Sequence, residues 1–252
     1  MGALFRPDGE ALAPNWRRLP VGYHGRAGTV VVSGTDVVRP SGQLGPGEFG
    51  PTRELDAEVE LGFVAGANAA TFRDAVFGVV ILNDWSARDI QSWESRPLGP
   101  FLGKSFATSI SAWVTPLALL EDARVEAPPQ DPEPLEYLRG GRDWALDVDL
   151  ELERNSNVLT RQNASTLYWT GPQLLAHLTS NGATLRPGDL LGTGTISSPE
   201  PGSLTELGKG YLDDGDEIVI RGRAGALDLG EVRGRVLAST VAGPSGMPQF
   251  LE

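Results

Sequence analysis

Apolar and acidic residues alternate along 53–61, and this period of two predicts a β-strand. Glu58 and Glu60 are two positions apart, so we expect both side chains on the same face of that strand. The alternation recurs along 144–153, with the apolar residues expected inward and the acidic residues outward. Periodicity leaves open which acidic strand, if either, binds a metal, because both patterns also fit a strand with one solvated face.

A second pattern follows the first acidic strand. The apolar run Val79 to Leu82 predicts a buried strand, and it ends abruptly in polar residues among which Ser86 can cap a short helix. If that helix begins near Asp84, then Asp84, Arg88 and Gln91 lie on one face at i, i+4 and i+7. Carboxylates beside an arginine and a glutamine on rigid elements fit a hard cation and a polarised oxygen.

The rest of the chain predicts one mainly β domain with about three short helices, an α+β fold. The strongest helix signal begins at Thr170-Gly171-Pro172 and ends at Asn181-Gly182. Further predicted elements are a strand at 30–32, a functional loop at 39–51, a helical piece at 71–76, and strands at 112–114, 217–220 and 229–238.

Composition narrows the function classes. The chain has 252 residues with 40% hydrophobic content, which supports a sizeable core. It has no Cys, which excludes disulfides and thiolate metal sites. A net charge of −12 argues against nucleic acid or an anionic membrane as a partner. No apolar run has the length of a bilayer span, so we expect a soluble, cytoplasmic protein.

Several long strings closely resemble the fumarylacetoacetase family, that is, the C-terminal catalytic domain of fumarylacetoacetate hydrolases. They are Leu19 to Arg26, Asn83 to Gln91, Pro97 to Ser105, and 185–201. The resemblance implies a mixed β-sandwich roll, a Mg or Ca ion and a homodimer. It also implies hydrolysis of a small diketo acid, 4-fumarylacetoacetate, to fumarate and acetoacetate, the last step of tyrosine catabolism.

The resemblance also assigns metal-binding and catalytic residues. Glu58, Glu60 and Asp84 match three of the family's four metal carboxylates. Three donors match groups aimed at negative charge on the leaving acetoacetate: Arg88, Gln91 and Lys104. Lys104 and Thr108 further match positions near a second cation, where a backbone oxygen would have to serve as ligand. These assignments predict that Arg88→Ala lowers turnover far more than stability.

The substrate contacts that the resemblance implies are Arg6, Tyr23, Gln91 and Thr195. Glu206 matches the carboxylate that orients the family's general-base His. Ser95 stands where the family has a substrate-contacting Tyr, which leaves one contact missing and widens the expected pocket.

The family carries its base His, one metal Asp and another Tyr just before the stretch that matches Leu4 to Arg6. Neither His24 nor His177 matches that base. We therefore expect residues 1–252 to be a catalytic domain truncated at its N-terminus, without the family's small N-terminal barrel domain, and Met1 to be an artefact of gene calling or cloning. The alternatives are a related 2-oxo acid decarboxylase or acylpyruvate hydrolase, and a non-catalytic remnant of the fold.

Overall fold

Two packed β-sheets form the core of the chain in a computed structural model, which describes residues 15–20, 22–95, 98–197 and 200–241. The architecture is mostly strand with a few short helices, so the predicted α+β fold class and mixed sandwich roll are confirmed. No helix within these ranges is long and apolar enough to cross a bilayer.

The strands are short and follow one another closely. They are β1 Val30–Val32, β2 Val37–Val38, β3 Ser41–Gly45, β4 Glu48–Pro51, β5 Leu55–Asp56, β6 Val59–Ala65, β7 Val76–Asp84, β8 Ser86–Ala87, β9 Thr108–Ile110, β10 Thr115–Pro116, β11 Arg124–Val125, β12 Ala145–Leu146, β13 Asp149–Arg154, β14 Asn157–Asn163, β15 Leu190–Gly192, β16 Glu217–Ala224 and β17 Leu227–Leu237.

The α-helices of the described ranges are α1 Phe72–Ala75, α2 Arg88–Glu94, α3 Leu102–Ser105, α4 Gly171–Thr179 and α5 Leu204–Leu207. Turns of 3₁₀-helix lie at Ala27–Thr29, Leu117–Ala123, Glu136–Leu138, Arg142–Trp144 and Ala164–Thr166. The prediction for α4 is confirmed, with Pro172 in its first turn and a capping box between Thr170 and Gln173. The count of about three helices was too low.

The first sheet has the order β1-β9-β7-β6-β15, with β10 added to β7. The second has the order β14-β13-β16-β17-β2. Each sheet contains one parallel pair, β1 with β9 and β17 with β2, and its other pairs are antiparallel. The sheets face each other, since Ile81 of β7 packs directly on Gly222 of β16.

The second acidic strand has the predicted orientation. Its apolar row is buried in the core: Leu146, Val148, Leu150 and Leu152. On its other face Glu151 pairs with Arg161 and Glu153 with Arg221, at partly exposed positions. The acidic face of this strand is therefore solvated and forms cross-strand ion pairs.

The predicted helix start at Asp84 is wrong. Asp84 pairs with Thr108 of β9, which keeps β7 extended to its last residue. After Trp85, Ser86 and Ala87 form β8, which pairs with β5, so α2 begins only at Arg88. Ser86 does not cap it, because its hydroxyl donates to the carbonyl of Asp84. Long-range strand pairing thus overrides the local capping signal.

Two further predictions were wrong in detail. The expected loop at 39–51 contains the hairpin β3–β4, whose turn includes Gly47 at φ 75°. The expected strand at 112–114 is a bend between β9 and β10. The bend follows from Ser111, whose side-chain oxygen accepts from the backbone N–H of Ile81 and donates to the carbonyl of Trp113.

Candidate active site

Two adjacent strands bring the first group of acidic residues together. Glu60 lies in β6 opposite Leu82 of β7, Glu58 lies just before β6, and Asp84 ends β7. One carboxylate oxygen from each of Glu58, Glu60 and Asp84 lies within 4.8 Å of those of the other two. The convergence expected from the sequence is therefore present.

These carboxylates are buried. Glu58 is 5% exposed, Glu60 4% and Asp84 8%. A solvated strand face is thus ruled out for this segment, in contrast to the second acidic strand. Buried carboxylates require charge partners or hydrogen bonds, because desolvating an uncompensated charge costs several kcal/mol.

Arg88 supplies part of that compensation from the first turn of α2. Its Nε and Nη2 donate to one oxygen of Asp56 at 2.8 and 2.6 Å, and Nη2 also reaches Glu58 at 2.8 Å. Its Nη1 donates to Oε1 of Gln91 at 3.1 Å. Arg88 is only 3% exposed, so a surface pair with Asp84 at i,i+4 spacing is not what its geometry shows.

Lys104 of α3 compensates the other side of the cluster. Its Nζ donates to Glu58 at 2.5 Å and to Asp84 at 2.8 Å. Nζ also lies 5.8 Å from the centroid of the Tyr23 ring. Tyr23 is 42% exposed, but its hydroxyl points inward and donates to Asp84. The catalytic candidates Arg88 and Lys104 and the substrate-binding candidate Tyr23 therefore all contact the acidic cluster.

Asp56 is a functional residue that the sequence analysis did not single out. Its side chain is fully buried and accepts from Arg88 and from the N-terminus of α5. The contacts to α5 are Leu204 N at 2.9 Å and Thr205 Oγ1 at 2.7 Å. The available signal was its place in the acidic alternation, two positions before Glu58.

The charges shift the pKa values of the cluster in opposite directions. Burial acts to raise the pKa of Glu58, but the charges of Lys104 and Arg88 outweigh it and lower the pKa to about 2. Burial and the charges of Asp84 and Glu58 raise the pKa of Glu60 well above its ordinary value. Burial also raises the pKa of Asp84, against the opposing charge of Lys104.

The net charge of the cluster shows whether these residues fit a divalent metal. Four carboxylates, including Asp56, surround two cations, so the cluster carries a formal charge of −2 when every group is ionised. Among the described residues, Oε1 of Glu60 and Oδ1 of Asp84 accept no hydrogen bond. Carboxylate oxygens with that charge deficit are the ligands that Mg²⁺ and Ca²⁺ prefer, so the donor set fits such an ion.

The backbone at Gly192 and Gly194 lies close to the carboxylate of Glu60. Gly194 N donates to Oε2 of Glu60 at 3.0 Å, and a Cβ on Gly192 would lie 2.6 Å from the same oxygen. Thr195 follows directly, between the backbone bonds Thr193 N to Leu61 O and Ile196 N to Val59 O. Thr195 therefore runs alongside β6 next to Glu60.

The other predicted residues occupy separate positions. Thr108 lies in β9 with Asp84 as its cross-strand partner. Glu206 in α5 accepts from Ser197 Oγ at 2.7 Å and Gly202 N at 3.2 Å, so it links these two residues. Ser95 donates to the carbonyl of Gln91. Arg6 lies outside the described residues.

Neither histidine touches the acidic cluster. His24 is exposed and makes no hydrogen bond or ion pair with a described residue. His177 lies in α4, partly exposed, with its Nδ1 3.0 Å from the hydroxyl of Tyr137. That neither histidine is the catalytic base stays a prediction.

The fold and the buried carboxylates together define a β-rich domain with a candidate divalent-metal centre. A family model described as fumarylacetoacetate (FAA) hydrolase C-terminal matches residues 7–237, and the chain belongs to this family. The chain is 46% identical to a fumarylacetoacetase of Arabidopsis thaliana over 88% of its length, and 43% identical to one of Caenorhabditis elegans over 96%. These alignments span 61% and 67% of the two relatives.

A solved structure has the same fold. It is a fumarylpyruvate hydrolase from Pseudomonas aeruginosa in complex with Mn²⁺ and pyruvate, with a TM-score of 0.59 and 21% sequence identity. The match covers 89% of this chain and 82% of that one. At this identity the likeness supports the mixed sandwich roll and carries no assignment of substrate.

Proposed function

We propose that the chain carries the active site for metal-dependent hydrolysis of the carbon–carbon bond of 4-fumarylacetoacetate, giving fumarate and acetoacetate in the last step of tyrosine catabolism. The observation that carries the proposal is the buried cluster of Glu58, Glu60, Asp84, Arg88 and Lys104. It occurs in a chain that is 46% identical to a fumarylacetoacetase over most of its own length.

Glu58, Glu60 and Asp84 would hold a Mg or Ca ion, with Oε1 of Glu60 and Oδ1 of Asp84 the oxygens most available for it. When bound, the ion would polarise the diketone oxygens next to the bond that breaks. The second cation expected near Lys104 and Thr108 has weaker support, because the Lys104 ammonium itself bridges Glu58 and Asp84.

The reaction adds water across a carbon–carbon bond. The carbonyl carbon gains the water oxygen and becomes the carboxylate of fumarate, while acetoacetate leaves as an enolate and takes up a proton. Arg88, Gln91 and Lys104 supply hydrogen-bond donors for that negative charge. Because Oε1 of Gln91 accepts from Arg88, its Nε2 remains the donating end. Preorganised donors of this kind contribute ~3–4 kcal/mol each to the transition state.

The arginine is held ready for this role. Asp56 fixes Nε and Nη2, and Gln91 accepts one N–H of Nη1, which leaves the second N–H of Nη1 for a substrate oxygen. Tyr23 and Thr195 flank the cluster and would contact the substrate, as would Arg6 outside the described residues. Ser95 offers a small side chain where the family has a Tyr, which leaves more room there.

We also propose that the protein acts as a cytoplasmic homodimer with Mg or Ca as its natural ion. Size-exclusion chromatography with light scattering gives the mass in solution. A mass of one chain at micromolar concentration would contradict the dimer. Fractionation of the source cells, with an antibody against the chain, tests the location.

The experiment that tests the activity is hydrolysis of 4-fumarylacetoacetate followed by quantification of fumarate and acetoacetate. We expect products with Mg²⁺, Ca²⁺ or Mn²⁺ from a version that includes the family's base His, none from that version with EDTA, and none from its Glu60→Gln variant. Residues 1–252 alone have no His that matches the base, so they should turn over little or nothing. The matched control, Glu151→Gln on the other acidic strand, should keep the wild-type rate. Cleavage of acylpyruvates instead would reassign the substrate, and metal binding without any turnover would support the non-catalytic alternative.

A further inference from the structure

Lys104 lies in a helix that is too short to be stable by itself. The helix α3 has four residues, and its N-cap, Phe101, provides no side-chain hydrogen bond to the first turn. Isolated helices of this length are unstable, because nucleation costs more than a single turn returns. Yet Lys104 lies in this turn and places its Nζ between Glu58 and Asp84. Something outside α3 must therefore fix the turn.

Glu94, the last residue of α2, provides that fixation. Its Oε1 accepts from Phe101 N at 2.7 Å and from Gly103 N at 2.8 Å, and its Oε2 accepts from Leu102 N at 3.0 Å. These are the backbone N–H groups that a short helix leaves without partners. A carboxylate at this end is also favoured by the helix dipole. One side chain thus caps α3 from a different helix.

The same turn of α3 also packs closely against α2. A Cβ added to Gly103 would lie 2.7 Å from the backbone nitrogen of Gln91, so the two backbones touch. Arg88 and Gln91 belong to α2 and Lys104 to α3. The cap and the contact therefore join all three predicted donors into one rigid unit.

We propose that Glu94 is a positioning residue that sets Lys104 into the acidic cluster by capping α3. It has no role in the sequence-based assignment and touches none of the metal-binding candidates among the described residues. The consequence for catalysis rests on the proposed function, but the placement of Lys104 does not, and it can be measured without any turnover.

The chain offers an internal reference for that measurement, because Lys104 and Lys209 are its only lysines and Lys209 is exposed. Brief treatment of the folded protein with an amine acylating reagent, followed by peptide mass spectrometry, gives the ratio of labelling at the two. In wild type Lys104 should be strongly protected. In Glu94→Ala the ratio should rise about tenfold or more, the change that losing one charge-assisted hydrogen bond produces.

Glu94→Gln serves as the second variant if Glu94→Ala does not fold. It keeps the side-chain length and one acceptor oxygen, so a smaller rise in Lys104 labelling is expected. Hydrogen exchange should accelerate at the amides of Phe101, Leu102 and Gly103 in both variants. Where turnover is measurable, kcat should fall more than KM rises.

Thr71→Ala is the matched control, since Thr71 caps α1 through Asp74 and lies outside the acidic cluster. It should cost similar stability without exposing Lys104 relative to Lys209. Equal labelling ratios in Thr71→Ala and Glu94→Ala, or an unchanged ratio in both Glu94 variants, would overturn the proposal. Loss of turnover with normal Lys104 protection would count against Glu94, whereas the predicted labelling in a version that includes the base His but is inactive would count only against the proposed function.

Discussion

Glu60 should destabilise the metal-free protein, and Glu60→Gln should therefore make it more stable. The side chain is buried, and its oxygen lies within 4.8 Å of oxygens on both Glu58 and Asp84. Gln has the same shape and keeps an oxygen for Gly194 N, so the change removes charge with little loss of packing. A metal ligand that costs stability when the ion is absent is expected at a functional site.

The size of the effect follows from the distances. At an effective dielectric constant of about 20, each repulsion over 4.8 Å costs about 3 kcal/mol, and the attraction of Lys104 offsets roughly one of the two. Protonation sets a ceiling: a carboxyl with an ordinary pKa of 4.5 cannot cost more than about 4 kcal/mol near pH 7.5. We therefore expect Glu60→Gln to gain about 2–3 kcal/mol in EDTA.

The pH dependence has a definite sign. The pKa of Glu60 is raised in the folded state, so folding favours its proton and wild type loses stability as pH rises above 4.5. The advantage of Glu60→Gln should thus vanish near pH 4 and grow toward neutral pH. Denaturant unfolding in EDTA across this range measures it, with Glu151→Gln as a control that shifts stability by less than about 0.5 kcal/mol.

Metal should cancel the difference. With free Mg²⁺ at one hundred times its dissociation constant, wild type should gain about 2.7 kcal/mol and Glu60→Gln almost none. A Glu60→Gln protein that is less stable than wild type in EDTA would refute the electrostatic reasoning. A variant that keeps the full metal-induced gain would refute the role of Glu60 as a ligand.

Three further outcomes are expected. Arg88→Met should cost about 3–5 kcal/mol in denaturant unfolding, because it leaves Asp56 and Glu58 buried without this partner. A loss below about 1 kcal/mol would contradict the buried ion pairs. Asp56→Asn combined with Arg88→Met should cost less than the sum of the single changes by about 1–3 kcal/mol, whereas additivity would show that the two do not act through each other. Glu58, with its pKa lowered to about 2 from 4.5, should contribute about 3 kcal/mol that is present above pH 4.5 and lost toward pH 2, so Glu58→Gln should flatten acid unfolding over that window.

The sequence predicted which acidic residues converge better than it predicted the elements that carry them. The period of two was enough to place Glu58 and Glu60 on one face, and the resemblance added Asp84, Arg88 and Lys104. The helix start failed because Asp84 is held extended by β9, a partner 24 positions away whose pairing no local pattern contains. Capping and periodicity describe only neighbours along the chain.

Burial was the other quantity that periodicity could not supply. The strands around Glu58 and around Glu151 have the same alternation, yet one is enclosed and the other is solvated. The difference arises from what covers each face: Lys104, Arg88 and the N-terminus of α5 cover the first. Local patterns did not identify Glu94 for a related reason, since it belongs to α2 and caps a different helix, α3.

The most direct test of the metal assignment is a crystal structure with Mn²⁺ and an anomalous difference map recorded near the manganese edge. We expect a single strong peak within coordination distance of Glu58, Glu60 and Asp84, with Mn²⁺ lost from Glu60→Gln crystals grown alongside. A peak on the Asp149–Glu153 strand, or full occupancy in Glu60→Gln, would contradict the assignment of the buried acidic cluster as the metal centre.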